Sequence, residues 1–466
     1  MEGALLHPDR LLPADPATRQ LARGLYQSVE ALPIVSPHGH TDPKWWGENP
    51  AFTDPAALFV TPDHYVTRML TSQGVSFEAL GIGENCERDS RRIWQTFADH
   101  YYLFAGTPSR IWVDDALARL FGFSKRLGPD TANEIYDAIA ELLPKPETSP
   151  RALYDRFGIE VIATTDSALD DLSYHAMARD SDWNGRVVPT YRPDSVIDPD
   201  VRDFAENLER LAEVSGCDTN TYDGYLDAHR ARRAAFKAMG ATATDHGHPT
   251  PQTTDLPYAE ACALYERVRS GNPNAGDAEL FRAQMLTEMA RMSLDDGLVM
   301  QLHSGSLRGH SAKVQRDYGP DRGFDIPVPV SFTEALRPLL NAVGMDPRLT
   351  LILFTLDETT YARELAPLAG VWPCLRLGPP WWFHDSYEGM RRFREMAMET
   401  AGIYNTVGFN DDTRALCSIP ARHDVARRVD SGWLAEMVVT HRIDECEAYD
   451  IARLLAHDLA MKAYRL

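Results

Sequence analysis

The segment LPIVSPHGH at 32–40 carries an apolar run into two histidines separated by a single residue. Side chains two apart on an extended chain share a face, so a strand beginning at Leu32 sends His38 and His40 to the same side. Two imidazoles at a strand end can grip one divalent metal ion. Pro37 and Gly39 also suit an ordinary surface turn, and His-X-His is a short pattern with many chance matches. The remainder of the chain has to decide between these readings.

Such a pair needs a framework that brings other side chains opposite it. Short β-rich runs recur at 32–36, 159–165, 186–191, 241–244, 298–303, 349–356, 371–378 and 404–409. From the second onward they are separated by segments with helical period, such as 278–292 and 387–400. Strands alternating with helices predict a parallel sheet, and eight units predict a closed (β/α)8 TIM-type barrel. The fourth run is the weakest, being rich in Ala and Thr rather than aliphatic. Residues 1–50 then start the barrel and contain strand one. Residues 51–157 read as helices (54–59, 65–73, 90–104, 131–143 and 151–157), an all-helical subdomain inserted after strand one, because a structureless loop of that length is improbable. Residues 158–466 complete the barrel, with a helical elaboration near 198–239.

Barrel enzymes place their chemistry at the C-terminal ends of the strands. The residues just past each run are His38 and His40; Thr164, Thr165 and Asp166; Arg192; Asp245 and His246; His303, with Arg308 close behind; Thr355, Asp357 and Glu358; Trp381 and Trp382; and Asp411 and Asp412, followed by Arg414. Helix N-capping accounts for some of these, and we expect it of Thr165, Asp166 and Asp194. Strands one and eight are neighbours in a closed barrel, so Asp412 or Asp411 can face the histidine pair. Two histidines and one carboxylate suit zinc, manganese or iron and leave coordination positions for substrate.

Composition narrows the class. With 466 residues, the chain carries 47 basic and 68 acidic residues, a formal charge of −21, which argues against nucleic acid or an anionic membrane as partner. It also makes local arginines worth explaining. The six cysteines are scattered, with no CxxC pair and no sign of a disulfide framework. No signal-like or membrane-length apolar run is present, which predicts a soluble cytoplasmic protein, with homo-oligomerisation left open. No glycine fingerprint follows a strand, so no nucleotide cofactor is expected.

Seven motifs together carry a family resemblance: SPHGHTDPKWW at 36–46, DHY at 63–65, TYRPD at 190–194, TDHG at 244–247, QLHSGSLRGH at 301–310, GPPWWFHDSYEGM at 378–390 and GFNDDTRALCSIPARHD at 408–424. Over essentially its whole length the chain resembles the uronate (glucuronate) isomerases, a branch of the amidohydrolase superfamily. The resemblance implies one divalent metal ion, zinc first, held by His38, His40 and Asp412. It implies substrate handling by Tyr65, Arg192, His303, Arg308, Trp381 and Arg414, and Asp245 is placed with them. It also implies the helical insertion after strand one.

A uronate is an aldose bearing a carboxylate, so its site must hold one anion and several hydroxyls. Arginine forks suit both. Arg192, before a proline, can instead simply pair with Asp194. Isomerisation moves a proton between C2 and C1 through a cis-enediol and needs a base, an acid and an electrophile. The metal or Arg414 is expected to polarise substrate oxygens, Asp412 or Tyr65 to shuttle the proton, His303 to join them in catalysis, and Arg308 or Arg192 to anchor the substrate. The base itself is left unassigned. The rival is a mononuclear metal-dependent hydrolase of an anionic sugar lactone or amide on the same barrel. A binuclear hydrolase centre is not expected, because strand four ends in Asp245-His246 and offers no lysine.

Overall fold

The computed structural model describes residues 5–466. Its main sheet has seven strands, β1 (Ile34–Ser36), β2 (Ile159–Ser167), β3 (Val187–Arg192), β4 (Ala243–His246), β5 (Val299–Ser304), β6 (Leu351–Thr355) and β7 (Leu375–Leu377). All pair in parallel and in chain order. Such strands are covered on both faces, which is why β6 reads LILFT with every residue buried. A two-stranded hairpin, Ser306–Leu307 with Ile326–Pro327, follows β5.

The eighth run departs from expectation. Residues 404–409 form no regular strand: a 3-10 turn, Ile403–Asn405, leads to a single parallel bridge between Leu377 and Thr406. Gly408, at φ 76°, takes a left-handed turn that a ladder does not tolerate, and an added Cβ there would meet the Leu455 carbonyl at 2.9 Å. The segment nevertheless occupies the eighth position. Val407 N–H donates to the Leu377 carbonyl at 3.2 Å, and His40 N–H donates to Thr413 at 3.0 Å. It therefore spans from β7 to the end of β1, completing a TIM-type barrel.

Other strands are shifted or shortened, the first starting only at Ile34 and the sixth spanning Leu351–Thr355. The fourth lies two residues later than its apolar run suggested, and the seventh shrinks to Leu375–Leu377 because Pro373 lacks a donor and Val371 closes the preceding helix onto Leu368. Between β1 and β2 the chain is helical, from Pro43–Glu48 to Pro150–Arg156. These helices bury Trp94, Phe97, Tyr101 and Phe104 in a cluster that reaches Ile34, Ile159 and Leu416, so they pack onto the first strands. Phe204–Ser215 and Tyr222–Ala238 lie between β3 and β4. No helix among the described residues is long and apolar enough to cross a membrane.

The three expected helix caps have other duties. Asp166 lies within β2 and accepts from Thr164 Oγ1 at 2.7 Å; Thr165 Oγ1 donates to the Gly39 carbonyl at 2.8 Å. Asp194 accepts from Arg192 and from Gly247 N–H. True caps come from Asp63 and Ser386, the former starting the helix His64–Ser72 that carries Tyr65.

Candidate active site

A polar cavity of about 220 Å³ opens at the C-terminal end of the barrel. His38 and His40 enter it directly after β1, and Asp412 enters from the irregular eighth segment. Asp412 Oδ1 lies 3.4 Å from His38 Nε2 and 3.2 Å from His40 Nε2. That is the ligand–ligand separation around one tetrahedral ion with bonds of roughly 2.0–2.1 Å. These three residues form a set able to hold a metal ion. The sequence left Asp411 and Asp412 as alternatives, and here they face different ways. Asp411 turns inward to His423 Nε2 at 3.0 Å, whereas Asp412 adopts a left-handed φ of 42° that aims it at the histidines. Aspartate accepts this conformation more readily than most residues, at a cost that surrounding contacts must offset. Burial opposes ionisation of Asp412, but the two imidazoles overcome it and hold the carboxyl well below its usual range.

Directly beside His38 lies a second constellation, whose Asp245 and His303 offer ligand atoms within 4.8 Å of His38. His303, at the end of β5, shares a 2.6 Å hydrogen bond from Nδ1 to Asp245 Oδ1, and Arg192 Nη1 lies 3.1 Å from Asp245 Oδ2. With Nδ1 engaged, His303 Nε2 has no partner among the described residues and the imidazole is set to accept a proton there. Burial pushes His303 below its ordinary value, more than Asp245 offsets. Asp245, despite burial, stays ionised because His303 and Arg192 face it. His303 stacks on His38 at 4.6 Å and on Phe354 at 4.0 Å, which fixes its plane.

Arg308, Arg414, Trp381 and Tyr65 also line the cavity. The two arginines are not free cations. Arg308 Nη1 reaches Asp325 at 3.2 Å, and Arg414 Nη2 reaches Asp321 at 3.4 Å. Arg192 does pair with Asp194, Nε to Oδ2 at 2.7 Å, while its Nη1 remains at the cavity wall. Tyr65 Oη donates to Asp385 at 3.1 Å, and burial followed by that carboxylate raises its phenol well above the ordinary value.

Sequence reasoning missed several residues. Asp321, His64 and Arg422 line the cavity, and Asp385 stands behind Tyr65. Arg422 Nη1 donates to Asp385 Oδ2 at 2.6 Å and to the Asp411 carbonyl at 3.2 Å, so one guanidinium ties Tyr65 to the Asp411–Asp412 backbone. Burial lowers His64 to about 3, leaving it neutral. Arg422 and Asp385 stood inside the quoted motifs, but only their fold positions reveal that they meet.

Comparison with known proteins matches residues 15–463 to the family model described as glucuronate isomerase. The chain belongs to the uronate isomerase family. A uronate isomerase of Rhizobium meliloti (strain 1021) is 60% identical over 466 residues, covering 99% of both chains. The crystal structure of glucuronate isomerase from Caulobacter crescentus superposes with a TM-score of 0.98 at 54% identity, covering 99% of this chain and 98% of that one. The uronate isomerase of Thermotoga maritima gives 0.92 at 30% identity, covering 98% and 99%. The protein is therefore an enzyme, an aldose–ketose isomerase acting on a small sugar acid.

Proposed function

We propose that this uronate isomerase interconverts D-glucuronate with D-fructuronate and D-galacturonate with D-tagaturonate. The observation that carries the reading is the convergence, on one cavity of an acidic protein, of His38, His40 and Asp412 with Arg192, Arg308 and Arg414. The first three residues fit one divalent ion of the zinc type, with manganese and iron also compatible with that donor set. When bound there, such an ion supplies a Lewis acid for substrate oxygens.

The chain's own residues account for the rest. His303 Nε2 takes the proton from C2 of the open-chain aldose and returns it at C1, the hydroxyl proton passes from O2 to O1 at the cis-enediol stage, and Asp245 holds the Nδ1–H tautomer and balances the imidazolium. Arg414, which lines the cavity, stabilises the developing enediolate oxygen, and Arg308 binds the substrate carboxylate after exchanging part of its pairing with Asp325. Trp381 presents its ring to the sugar, and Tyr65, committed to Asp385, orients a hydroxyl rather than moving the proton. We read residues 51–157 as a helical insertion shaping one wall, consistent with Asp63, His64 and Tyr65 lying at the cavity. Six free cysteines and a charge of −21 support a cytoplasmic enzyme without nucleic-acid partners.

Proton NMR of the metal-loaded protein with D-glucuronate in deuterated water tests this reading. Ketose formation with deuterium exchange at the migrating position is expected. Hydrolysis of a lactone or amide panel, with no isomerisation of either aldose, would replace it with the hydrolase reading.

A further inference from the structure

The tripeptide His-Gly-His occurs twice in this chain, at 38–40 and again at 246–248, each time at the end of a barrel strand. The second copy lies outside the substrate cavity. His246 ends β4, and His248 follows it, also buried, beside the half-buried Asp194, the residue two positions beyond β3. One ligand-type atom from each of the three lies within 4.8 Å of the others.

Burial makes this cluster informative. His246 is fully buried and His248 only 3% exposed, yet Nδ1 of His246 and both ring nitrogens of His248 lack a partner among the described residues. Buried polar groups are normally satisfied, and an imidazole with neither nitrogen bonded is a costly arrangement that a ligand would repair. We propose that His246, His248 and Asp194 bind a second divalent metal ion of the zinc type, distinct from the one assigned to His38, His40 and Asp412. Two imidazole nitrogens and one carboxylate oxygen form a donor set suited to zinc, which commonly completes four-coordination with water.

Gly247 is what lets the two histidines share this space. A Cβ there would collide with the Arg192 guanidinium and sit 2.8 Å from Asp194 Oδ2. The bare backbone instead passes close enough for its N–H to reach Asp194 Oδ1 and Oδ2 at 3.1 and 3.0 Å. The site also touches the cavity indirectly. Asp194 accepts from Arg192 Nε at 2.7 Å, and Arg192 Nη1 faces Asp245 at 3.1 Å. An ion on Asp194 competes with Arg192 for that carboxylate and leaves the guanidinium more available to the cavity. This position is a positioning device for Arg192 rather than part of the proton-transfer machinery.

Stripping the protein with chelator and titrating it with Zn²⁺ or Co²⁺, with metal content measured after gel filtration, tests the proposal. Wild type should bind two equivalents, His248→Ala one, and the His38→Ala, His40→Ala double variant one. The Co²⁺ absorption spectrum should change in a different part in each variant. Crystals of wild type diffracted at the zinc edge should show anomalous density between His246, His248 and Asp194; this measurement needs no variant and stands even if His248→Ala does not fold. A wild type with one equivalent that is lost only in the double variant overturns the second site and leaves the first intact. Two equivalents retained in a folded His248→Ala also overturn it. One equivalent lost only in His248→Ala would uphold the second site and remove the first.

Discussion

The two His-Gly-His tripeptides place the same chemistry in opposite surroundings. At 38–40 the pair meets a polar cavity, with His40 partly exposed and Asp412 held opposite in a left-handed backbone conformation. At 246–248 the pair is buried, and its carboxylate, Asp194, is already clasped by Arg192 and the Gly247 amide. Residue type and spacing confer the capacity to coordinate. The group supplied by the facing strand end, and its access to solvent, decide whether that capacity can meet a substrate. Asp412, paired among the described residues only with the two imidazoles, leaves its charge to them and to whatever they hold. A carboxylate tied to a guanidinium has divided its charge.

The largest effect should come from breaking the first pair. The His38→Ala, His40→Ala double variant should lose isomerase activity by about 10³-fold or more, because Lewis-acid stabilisation is worth several kcal/mol and each ~1.4 kcal/mol is a decade. Kinetics beside circular dichroism measure it; a folded double variant with near-normal turnover would end the cavity assignment. Asp245→Asn comes next. Loss of the carboxylate that sets the His303 tautomer should lower kcat about 10²-fold, within the usual range for an acid–base group, with little change in KM. A change confined to KM would mean the Asp245–His303 pair only binds substrate.

Arg308→Met should reduce kcat/KM for uronates about tenfold or more, since a charge-assisted contact contributes roughly 1.5–3 kcal/mol. Metal content should stay unchanged. Unaltered kinetics in a folded variant would make its pairing with Asp325 the whole of its role.

The smallest effect concerns stability and a third strand end. Asp166 is buried beside Thr164 and the neutral His175, with no compensating cation among the described residues, and burial raises its carboxyl to about 7. Between roughly pH 4, the unfolded value, and about 7, the folded state holds a proton that the unfolded state has released. Stability from this group therefore falls as pH rises through that window and levels off above it. Asp245 and Asp412 behave in the opposite sense. Their depressed carboxyls contribute stability fully present above about pH 4, lost as pH falls through the folded values. Asp166→Asn should thus raise the thermal midpoint by a few degrees at pH 8 and much less at pH 5. An equal shift at both pH values would show that Asp166 does not titrate as burial predicts.

Much of this was legible in the residues. Parallel strands buried on both faces must be apolar, so β2, β5 and β6 announced themselves, and polar side chains had to gather where those runs ended. Periodicity says nothing about which neighbouring carboxylate turns inward, and the choice between Asp411 and Asp412 came from a backbone twist set by barrel closure. Pattern reading predicted a regular eighth strand at 404–409, but Gly408 breaks the ladder, and tertiary contacts to Leu377 and His40 hold the segment in place without one. Arg422 and Asp385 are separated by 37 residues and meet only when the barrel brings the strand-seven turn against the last long helix. The sequence by itself determined the barrel, the histidine pair and the family, because these depend on local pattern and on motifs preserved in order along the chain. Only the tertiary structure decided which charges pair with one another, since an arginine's partner depends on distances across the barrel that no spacing along the chain encodes.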